Sequence, residues 1–348
     1  MAAADLFVDI VIPTWNGWVL LERCLQTIAR QSFSNYVITV VDNGSTDGTV
    51  ATLQKLYPEI RVIVFAENKG FSAAVNAGIA GSSNPFIFLL NNDTELPPDC
   101  LQQLVTAAGA LPDYDFFVPK MLSFHDHAIL DGAGDGYLRG GAGYRLGTME
   151  MDSSAYDQPG PVFGACAGAV LYRRPLFEKV GLFDEDFFAY LEDVDLNLRI
   201  NRAGLRGYYV PASRVYHVGS ATTGSKINPI TIRLSTRNSL YVLLKNYQFC
   251  LFVRFLPVIV IYQLCWLLFA IKKHQFPSYC SGLCQAMAQL RQMRKKHHEL
   301  RRNDQLTVSE FASCLKWAEK SVVASIMHRR TEQGKGNRLL RLYGFLFL

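Results

Sequence analysis

The sequence predicts an α/β fold with a mainly parallel sheet, followed by a helical C-terminal region. Short apolar segments at 9–13, 37–41 and 84–90 each run into a polar loop, as strands of a buried sheet do. Helical patterns at 19–30 and 49–57 follow the first two segments. If these helices are crossovers, the polar loops share one edge of the sheet, where open α/β sheets bind ligands.

The first two loops differ from a glycine-rich phosphate-binding loop. The first strand ends in Pro-Thr-Trp-Asn-Gly at 13–17, which lacks the G-x-G-x-x-G pattern of dinucleotide-binding folds. The second ends in Asp-Asn-Gly-Ser-Thr-Asp-Gly at 42–48, where Thr46 or Asp47 can cap the next helix. A nucleotide at this edge would therefore be held by side chains and a metal.

The third strand leads into Asn91, Asn92 and Asp93. One carboxylate with open positions beside it suits Mg²⁺ or Mn²⁺ bound to a nucleotide diphosphate. The same residues also favour an ordinary turn, so both interpretations stay open at this point.

A second acidic cluster places Glu192, Asp193 and Asp195 within four positions, just before a helical pattern. Aromatic residues at 187, 188 and 190 indicate a partly buried pocket, where a carboxylate becomes more basic and can abstract a proton. The alternative is a helix N-terminus that favours acidic residues.

Seven blocks, in order between residues 9 and 247, together resemble the family 2 glycosyltransferases and their bacterial rhamnosyltransferase-like branch. They are IVIPTWN, VVDNGSTDGT, ENKGFSAAVNAG, LLNNDTELPP, FGACAGAVLYRR, GLFDEDFFAYLEDVDLNLR and VYHVGS. The resemblance implies the GT-A fold, a mainly parallel α/β sandwich with the nucleotide-sugar on its first half and the acceptor on its second. It also implies inverting, metal-dependent sugar transfer to a lipid-linked or cell-surface glycan, with rhamnose from dTDP-rhamnose as the first candidate.

The same resemblance assigns donor-binding residues. Thr14 and Asp42 would contact the nucleobase, because a carboxylate can accept from the N3–H of a pyrimidine. Asn68 and Lys69 would lie near the base or the phosphates, and Asn92 beside the nucleotide-sugar.

Asp93 would be the metal ligand, as the last acid of the family's D-x-D signature. Asn91 replaces the leading acid, so the metal should depend more on the diphosphate of the substrate. His217 would complete the metal shell, and its imidazole favours Mn²⁺ over Mg²⁺. Without the motif, a lone histidine after a strand is more often structural.

In the acidic cluster, Asp193 would be the general base and Glu192 would orient the acceptor or Asp193. Asp195 would cap the helix or pair with Arg199 at i,i+4. Cys166 lies in a run of small residues, where a packing role is expected and not a nucleophilic one.

Three alternatives remain: a glycosyltransferase with a UDP-hexose donor, a sugar nucleotidyltransferase, and a catalytically silent nucleotide-sugar-binding scaffold. A nucleotidyltransferase should carry a glycine-rich basic loop near its first strand, which 16–18 lacks. The presence of Asp93, Asp193 and His217 argues against a silent scaffold.

The glycine-rich stretch 131–144 predicts a loop or hairpin, either a flexible wall over the sugar or a solvent loop. Eight scattered cysteines without a C-x-x-C pair favour reduced thiols in the cytoplasm. The N-terminus runs straight into the first strand, which leaves no room for a signal peptide.

We expect a catalytic domain at 1–247 and a basic, apolar helical region at 248–348. Residues 272–348 hold 15 Lys and Arg against 5 Asp and Glu, a net charge of +10 that leaves −5 for the rest of the chain. The apolar run 249–271 would attach the enzyme peripherally to the inner face of the cell membrane. We expect an interfacial or re-entrant helix interrupted by Arg254 and Pro257, since a span would place the basic tail across the membrane.

The alternative is a helix packed on the catalytic domain or on a second copy in a homo-oligomer. Nucleic-acid binding is disfavoured, because few aromatic residues are interleaved with the basic ones. On this division, a chain ending near 247 should be more soluble and still bind the donor.

Overall fold

The structure, a computed structural model, describes residues 6–219 and 227–348. Its strands are β1 (Val8–Thr14), β2 (Tyr36–Asp42), β3 (Arg61–Val64), β4 (Phe86–Leu90), β5 (Thr94–Glu95), β6 (Phe116–Ser123), β7 (Leu130–Gly132), β8 (Asp135–Leu138), β9 (Ala142–Arg145), β10 (Gly160–Val162), β11 (Ala169–Arg173) and β12 (Gly207–His217). Ten of them form one sheet in the order β10-β12-β6-β11-β4-β1-β2-β3, with β5 beside β12 and β7 beside β6. The remaining two, β8 and β9, form a separate hairpin.

The first half of the sheet has the predicted mainly parallel arrangement. Strands β4, β1, β2 and β3 are parallel neighbours, and every residue of β4 is buried. The helices that follow these strands are α1 (Trp18–Ile28), α2 (Thr49–Leu56), α3 (Phe71–Ala80) and α4 (Cys100–Ala110). Apolar clusters cover both faces of the sheet, so a buried α/β sandwich is confirmed.

The second half continues through β11, which is antiparallel to β4, and through the parallel pair β6 and β12. Helices α5 (Pro175–Val180) and α6 (Glu192–Arg202) precede β12. Helix α6 carries all three residues of the acidic cluster in its first turn.

Six helices complete the chain: α7 (Pro229–Asn246), α8 (Phe249–Lys272), α9 (Phe276–Ala288), α10 (Leu290–Leu300), α11 (Val308–Glu332) and α12 (Arg338–Phe347). They share a hydrophobic core with the catalytic half, since Tyr137 of β8 and Val194 of α6 cluster with Phe255, Phe311 and Leu315. The boundary at 247 stays a prediction, but the helices beyond it complete a core that begins before it.

The glycine-rich stretch contains a packed hairpin. A Cβ atom on Gly136 would lie 2.5 Å from Cγ2 of Val322 in α11, and one on Gly140 would lie 2.1 Å from Cβ of Tyr262 in α8. The predicted hairpin is therefore confirmed, whereas the expectation of a flexible wall or a solvent loop is wrong. The glycines let two helices pack directly on its backbone.

Helix α8 is long and apolar enough, by length and composition, to cross a membrane, with a mean hydropathy of 2.0. It runs without a break through Arg254 and Pro257, so the predicted interruption is wrong. Proline removes the hydrogen bond to the carbonyl four residues earlier, that of Val253. Both Pro257 and Val253 lie on the exposed side of the helix.

Candidate functional site

Three of the predicted donor-binding residues meet at the carboxyl ends of three neighbouring strands. Thr14 ends β1 directly opposite Asp42, the last residue of β2, while Asn92 follows β4 on the other side of β1. The Asn92 side-chain amide donates a 2.9 Å hydrogen bond to Oγ1 of Thr14. Parallel register thus brings together residues 28 to 78 positions apart in the chain.

The carboxyl group of Asp42 has one oxygen engaged and one free. It is 1% exposed, and Oδ2 accepts a 3.0 Å hydrogen bond from the backbone N–H of Ser45. Oδ1 has no hydrogen-bond partner in the described part of the chain. An unsatisfied buried acceptor costs about 1–3 kcal/mol, so this oxygen is suited to accept from the N3–H of a pyrimidine.

A residue that the sequence analysis missed, Asn43, organises the loop at Asn68 and Lys69. Its amide donates to Oδ1 of Asn68 (3.0 Å) and to the carbonyl of Gly70 (3.1 Å), and its Oδ1 accepts from the N–H of Lys69 (2.8 Å). The Lys69 side chain is exposed, with Nζ 5.2 Å from the centre of the Phe65 ring. The sequence feature that could have identified Asn43 is its position directly after Asp42 in the VVDNGS block.

Strand pairing also brings the two predicted metal ligands together. His217 ends β12 opposite Thr94 of β5, and the N–H of Val218 donates to the carbonyl of Asp93 (3.0 Å). The Nε2 atom of His217 lies 3.3 Å from Oδ1 of Asp93, and both side chains are buried. This is ion-pair distance, yet the Asp93 oxygen accepts no well-formed hydrogen bond from the described residues. A carboxylate oxygen and an imidazole nitrogen so placed fit a divalent cation.

Asp131 holds the imidazole in this orientation. Its Oδ2 lies 2.7 Å from Nδ1 of His217; with Nδ1 donating, the Nε2 lone pair points towards Asp93. Burial lowers the pKa of His217, but the carboxylates of Asp131 and Asp93 outweigh it and hold the pKa above its usual value. Asp131 is the first residue of the glycine-rich stretch, but no pattern in the sequence indicates that it contacts His217.

Arg145, at the end of β9, connects this pair to the rest of the cleft. Its Nη1 atom pairs with Asp131, and its Nη2 atom donates to Sγ of Cys166 (3.0 Å). Burial raises the pKa of the Cys166 thiol well above its usual value, so the thiol stays protonated. A packing and hydrogen-bonding role fits Cys166 better than a nucleophilic one.

Asp193 lies close enough to Arg145 to be influenced by its charge. Its Oδ1 accepts from the N–H of Val194 (2.8 Å). Burial raises its pKa, and the Arg145 guanidinium acts in the opposite direction. Burial and then the charge of Asp193 raise the pKa of Glu192 and of Asp135 to about 8 each. Burial and mutual repulsion thus make these carboxyl groups more basic than usual, as a general base requires.

Asp195 has a different environment from its two neighbours in the cluster. It accepts from Nε of Arg199 (2.9 Å), Nζ of Lys245 (2.7 Å) and the amide of Asn246 (2.9 Å). Although burial opposes ionisation, Lys245 and Arg199 lower its pKa. The predicted pairing with Arg199 is confirmed, and Asp195 is an ionised anchor between α6 and α7.

A separate group, Glu150, His328 and Glu332, brings potential metal-ligating atoms within 4.8 Å of one another. Both Glu150 oxygens already accept hydrogen bonds, from Tyr156, from Ser325 and from His328. A cation there would have to displace these bonds, so the group serves to attach α11 to the segment before β10.

Comparisons with known proteins identify the family of the chain. Residues 9–181 match the family model for glycosyl transferase family 2. The chain is 30% identical over 259 residues to the N-acetylglucosaminyl-diphospho-decaprenol L-rhamnosyltransferase of Mycobacterium tuberculosis, which covers 68% of this chain and 83% of that protein. It is 28% identical over 200 residues to a PGL/p-HBAD biosynthesis glycosyltransferase of Mycobacterium bovis, covering 57% of this chain and 70% of the relative.

Among solved structures, GalNAc-T7 crystallised with UDP, GalNAc and Mn²⁺ aligns with a TM-score of 0.53 at 17% identity. The alignment covers 69% of this chain and half of the GalNAc-T7 chain. At that identity the likeness shows the fold, which is the predicted GT-A fold. With a rhamnosyltransferase relative covered over most of its length and a matching family model, the chain belongs to glycosyl transferase family 2 and is a glycosyltransferase.

Proposed function

We propose that this enzyme is an inverting, divalent-cation-dependent glycosyltransferase that uses a nucleotide-sugar donor. The carrying observation is the continuous set of contacts from Asp93 through His217 and Asp131 to Arg145, whose positive charge lowers the pKa of the nearby Asp193 carboxyl against the effect of burial. It joins a pair of cation ligands to a candidate base within one cleft.

The first half of the sheet would hold the donor. The free Oδ1 of Asp42 would accept from the N3–H of thymine or uracil, so dTDP- and UDP-sugars both fit. Asp93 and His217 would hold Mg²⁺ or Mn²⁺, which when bound neutralises charge on the leaving diphosphate. The exposed ammonium of Lys69 adds positive charge on the same side.

Asp193 would act as the general base, with Glu192 beside it orienting the acceptor hydroxyl. The Asp193 carboxylate takes the hydroxyl proton as the oxygen bonds to the anomeric carbon, and the bond to the diphosphate oxygen breaks on the opposite face. Because one carboxylate suffices and no enzyme-bound sugar forms, the configuration inverts.

The Mycobacterium tuberculosis relative is named for transfer of L-rhamnose to a lipid-linked N-acetylglucosamine, which favours rhamnose as the sugar here and a lipid-linked glycan as the acceptor. We take dTDP-rhamnose as the first candidate donor. An acceptor of that kind lies at a membrane, and a soluble nucleotide-sugar is found in the cytoplasm. We therefore place the enzyme peripherally on the cytoplasmic face of the membrane, attached through its C-terminal helices.

The test is Asp193→Asn, which keeps size and hydrogen-bonding capacity but removes basicity. We expect transfer to fall by about 10²–10⁴-fold, while the donor still raises the melting temperature of the variant. Asp113→Asn, at an exposed position, is the matched control and should keep full activity. Turnover of Asp193→Asn within a few-fold of the unmodified enzyme would remove Asp193 as the base.

A panel of nucleotide-sugars, assayed with Mn²⁺, with Mg²⁺ and with excess EDTA, identifies the donor and the cation. Undiminished transfer in EDTA would remove the cation assignment of Asp93 and His217. Donor binding without transfer or hydrolysis by the unmodified enzyme would instead indicate a silent scaffold.

A further inference from the structure

We propose that the outward faces of α8 and α12 form one surface that docks in the plane of an anionic phospholipid bilayer. The inference rests on the proposed function, which requires a membrane-bound acceptor. It identifies the surface that meets the membrane and the orientation of α8 relative to the bilayer. The sequence pattern predicts membrane contact for the run 249–271 and not for α12.

The outward side of α8 is an uninterrupted apolar stripe. Its members recur at helical spacing and are 39–84% exposed: Phe249, Val253, Leu256, Val260, Ile261, Leu264, Leu268 and Ile271. A stripe of this length is more than a soluble protein usually leaves facing water. Lys272 and Lys273 follow it directly, also exposed.

The inward side of α8 packs on the rest of the protein through buried residues from Leu251 to Ala270, and two of its side chains form hydrogen bonds there. Gln263 donates to the carbonyl of Gly140 and to Oγ of Ser239, both at 3.0 Å, and Nε1 of Trp266 donates to Oγ1 of Thr236 at 2.8 Å. Although 24 residues reach about 36 Å, enough to span a bilayer, crossing would break these bonds or bury the catalytic half in lipid. The helix therefore lies along the membrane.

Helix α12 repeats the arrangement on a smaller scale. Its outward residues Leu339, Leu342, Phe345 and Leu346 are 54–87% exposed. Its other side is attached to α11, where Tyr343 donates to Glu319 (2.8 Å), and to the hairpin, where Arg139 donates to the carbonyl of Phe347 (3.1 Å).

Arg139 contacts both helices. Its guanidinium lies 4.7 Å from the centre of the Phe255 ring of α8 and donates to the backbone carbonyl of Phe347 at the end of α12. One buried side chain thus connects the two helices, whose exposed apolar residues we assign to one surface.

Charge selects the bilayer over a second copy of the chain. Residues 333–348 contain Lys335, Arg338 and Arg341 and no acidic residue, within a region of net charge +10. Two copies meeting through this face would bring like charges together, whereas anionic lipid headgroups neutralise them. Apolar insertion beside basic residues is the arrangement of interfacial helices.

The experiment is co-sedimentation of the full chain with phosphatidylcholine vesicles containing increasing phosphatidylglycerol. We expect Leu342→Asp to weaken partitioning by about tenfold or more, through lost apolar contact and an added negative charge. Leu56→Asp is the matched control: Leu56 in α2 is 52% exposed and Leu342 is 54% exposed, and the control should partition as the unmodified chain does. Salt should weaken but not abolish binding.

Equal partitioning of the two variants, or a concentration-dependent dimer that Leu342→Asp dissociates, would overturn the proposal. Donor hydrolysis without vesicles is measured in parallel and should be the same in all three proteins. A chain that binds vesicles but never hydrolyses donor would refute the proposed function and leave the docking surface standing, so the two failures are distinct.

Discussion

Replacing Glu319 of α11 by alanine should destabilise the whole enzyme, although the residue lies far along the chain from the family motifs. Glu319 is 1% exposed. It pairs with the guanidinium of Arg139, accepts from the Arg139 backbone N–H (3.2 Å) and accepts from Tyr343 (2.8 Å). Arg139 is itself 1% exposed, so water cannot take the place of the lost carboxylate.

Removing one partner of a buried ion pair costs about 3–5 kcal/mol, because the remaining charge stays buried without compensation. Domains are typically stable by about 5–15 kcal/mol, so this loss is a large share of the total. Unfolding by urea, followed by tryptophan fluorescence, measures the difference from the midpoints at equal slope.

Glu299→Ala is the control, since that side chain is 57% exposed and lies 3.9 Å from Lys295. An exposed pair of this kind contributes about 1 kcal/mol or less. If Glu319→Ala were no more destabilised than Glu299→Ala, the hairpin would not depend on α11. If the large loss is found, a chain ending near 247 should be unstable, in contrast to the soluble, donor-binding fragment that the sequence alone led us to expect.

Two further predictions concern the cleft. Asp131→Asn should lower the apparent affinity for Mn²⁺, measured through donor binding, by about 10–100-fold, because the imidazole of His217 loses the carboxylate that orients it. A Mn²⁺ titration identical to that of the unmodified enzyme would contradict this. Transfer should rise with pH as Asp193 loses its proton, above the usual range for an aspartate because burial raises its pKa. Arg145→Gln should move this rise to higher pH, since the guanidinium favours the ionised form; an unmoved profile would mean that another group titrates.

The nucleotide-binding edge could be predicted from the sequence because each of its residues ends an apolar strand. The proximity of Thr14, Asp42 and Asn92 requires only that their strands are parallel neighbours in register. The alternation of strand and helix patterns in the sequence already implies this arrangement. The proximity of Asp93 and His217 could not come from any pattern, since it depends on the antiparallel pairing of β5 with β12. That prediction came from the resemblance to the family.

Asp131 and Arg145 were missed for a related reason. Both lie in or beside the glycine-rich stretch, where the density of glycine predicts a mobile loop. A sequence does not show what packs on a glycine, and here Val322 and Tyr262 lie against Gly136 and Gly140. These glycines, which predicted a flexible segment, instead allow a closely packed hairpin that positions Asp131 and Arg145 in the cleft.

The segment that presents Asp193 has a consequence for how the enzyme forms during synthesis. Phe188, Tyr190 and Leu191 have φ values of 63°, 70° and 65°, a left-handed backbone that costs non-glycine residues about 1–3 kcal/mol each. The Asn238 amide supports this conformation by donating to the carbonyls of Phe187, Ala189 and Tyr190 at 2.7–3.0 Å.

Asn238 leaves the ribosome almost fifty residues after this segment, so the strained turn has no support while it is being made. The strands that form the nucleotide-binding edge are complete long before that point. The turn before Asp193 is therefore held in place only when α7 docks behind it, so the candidate base is positioned late in synthesis.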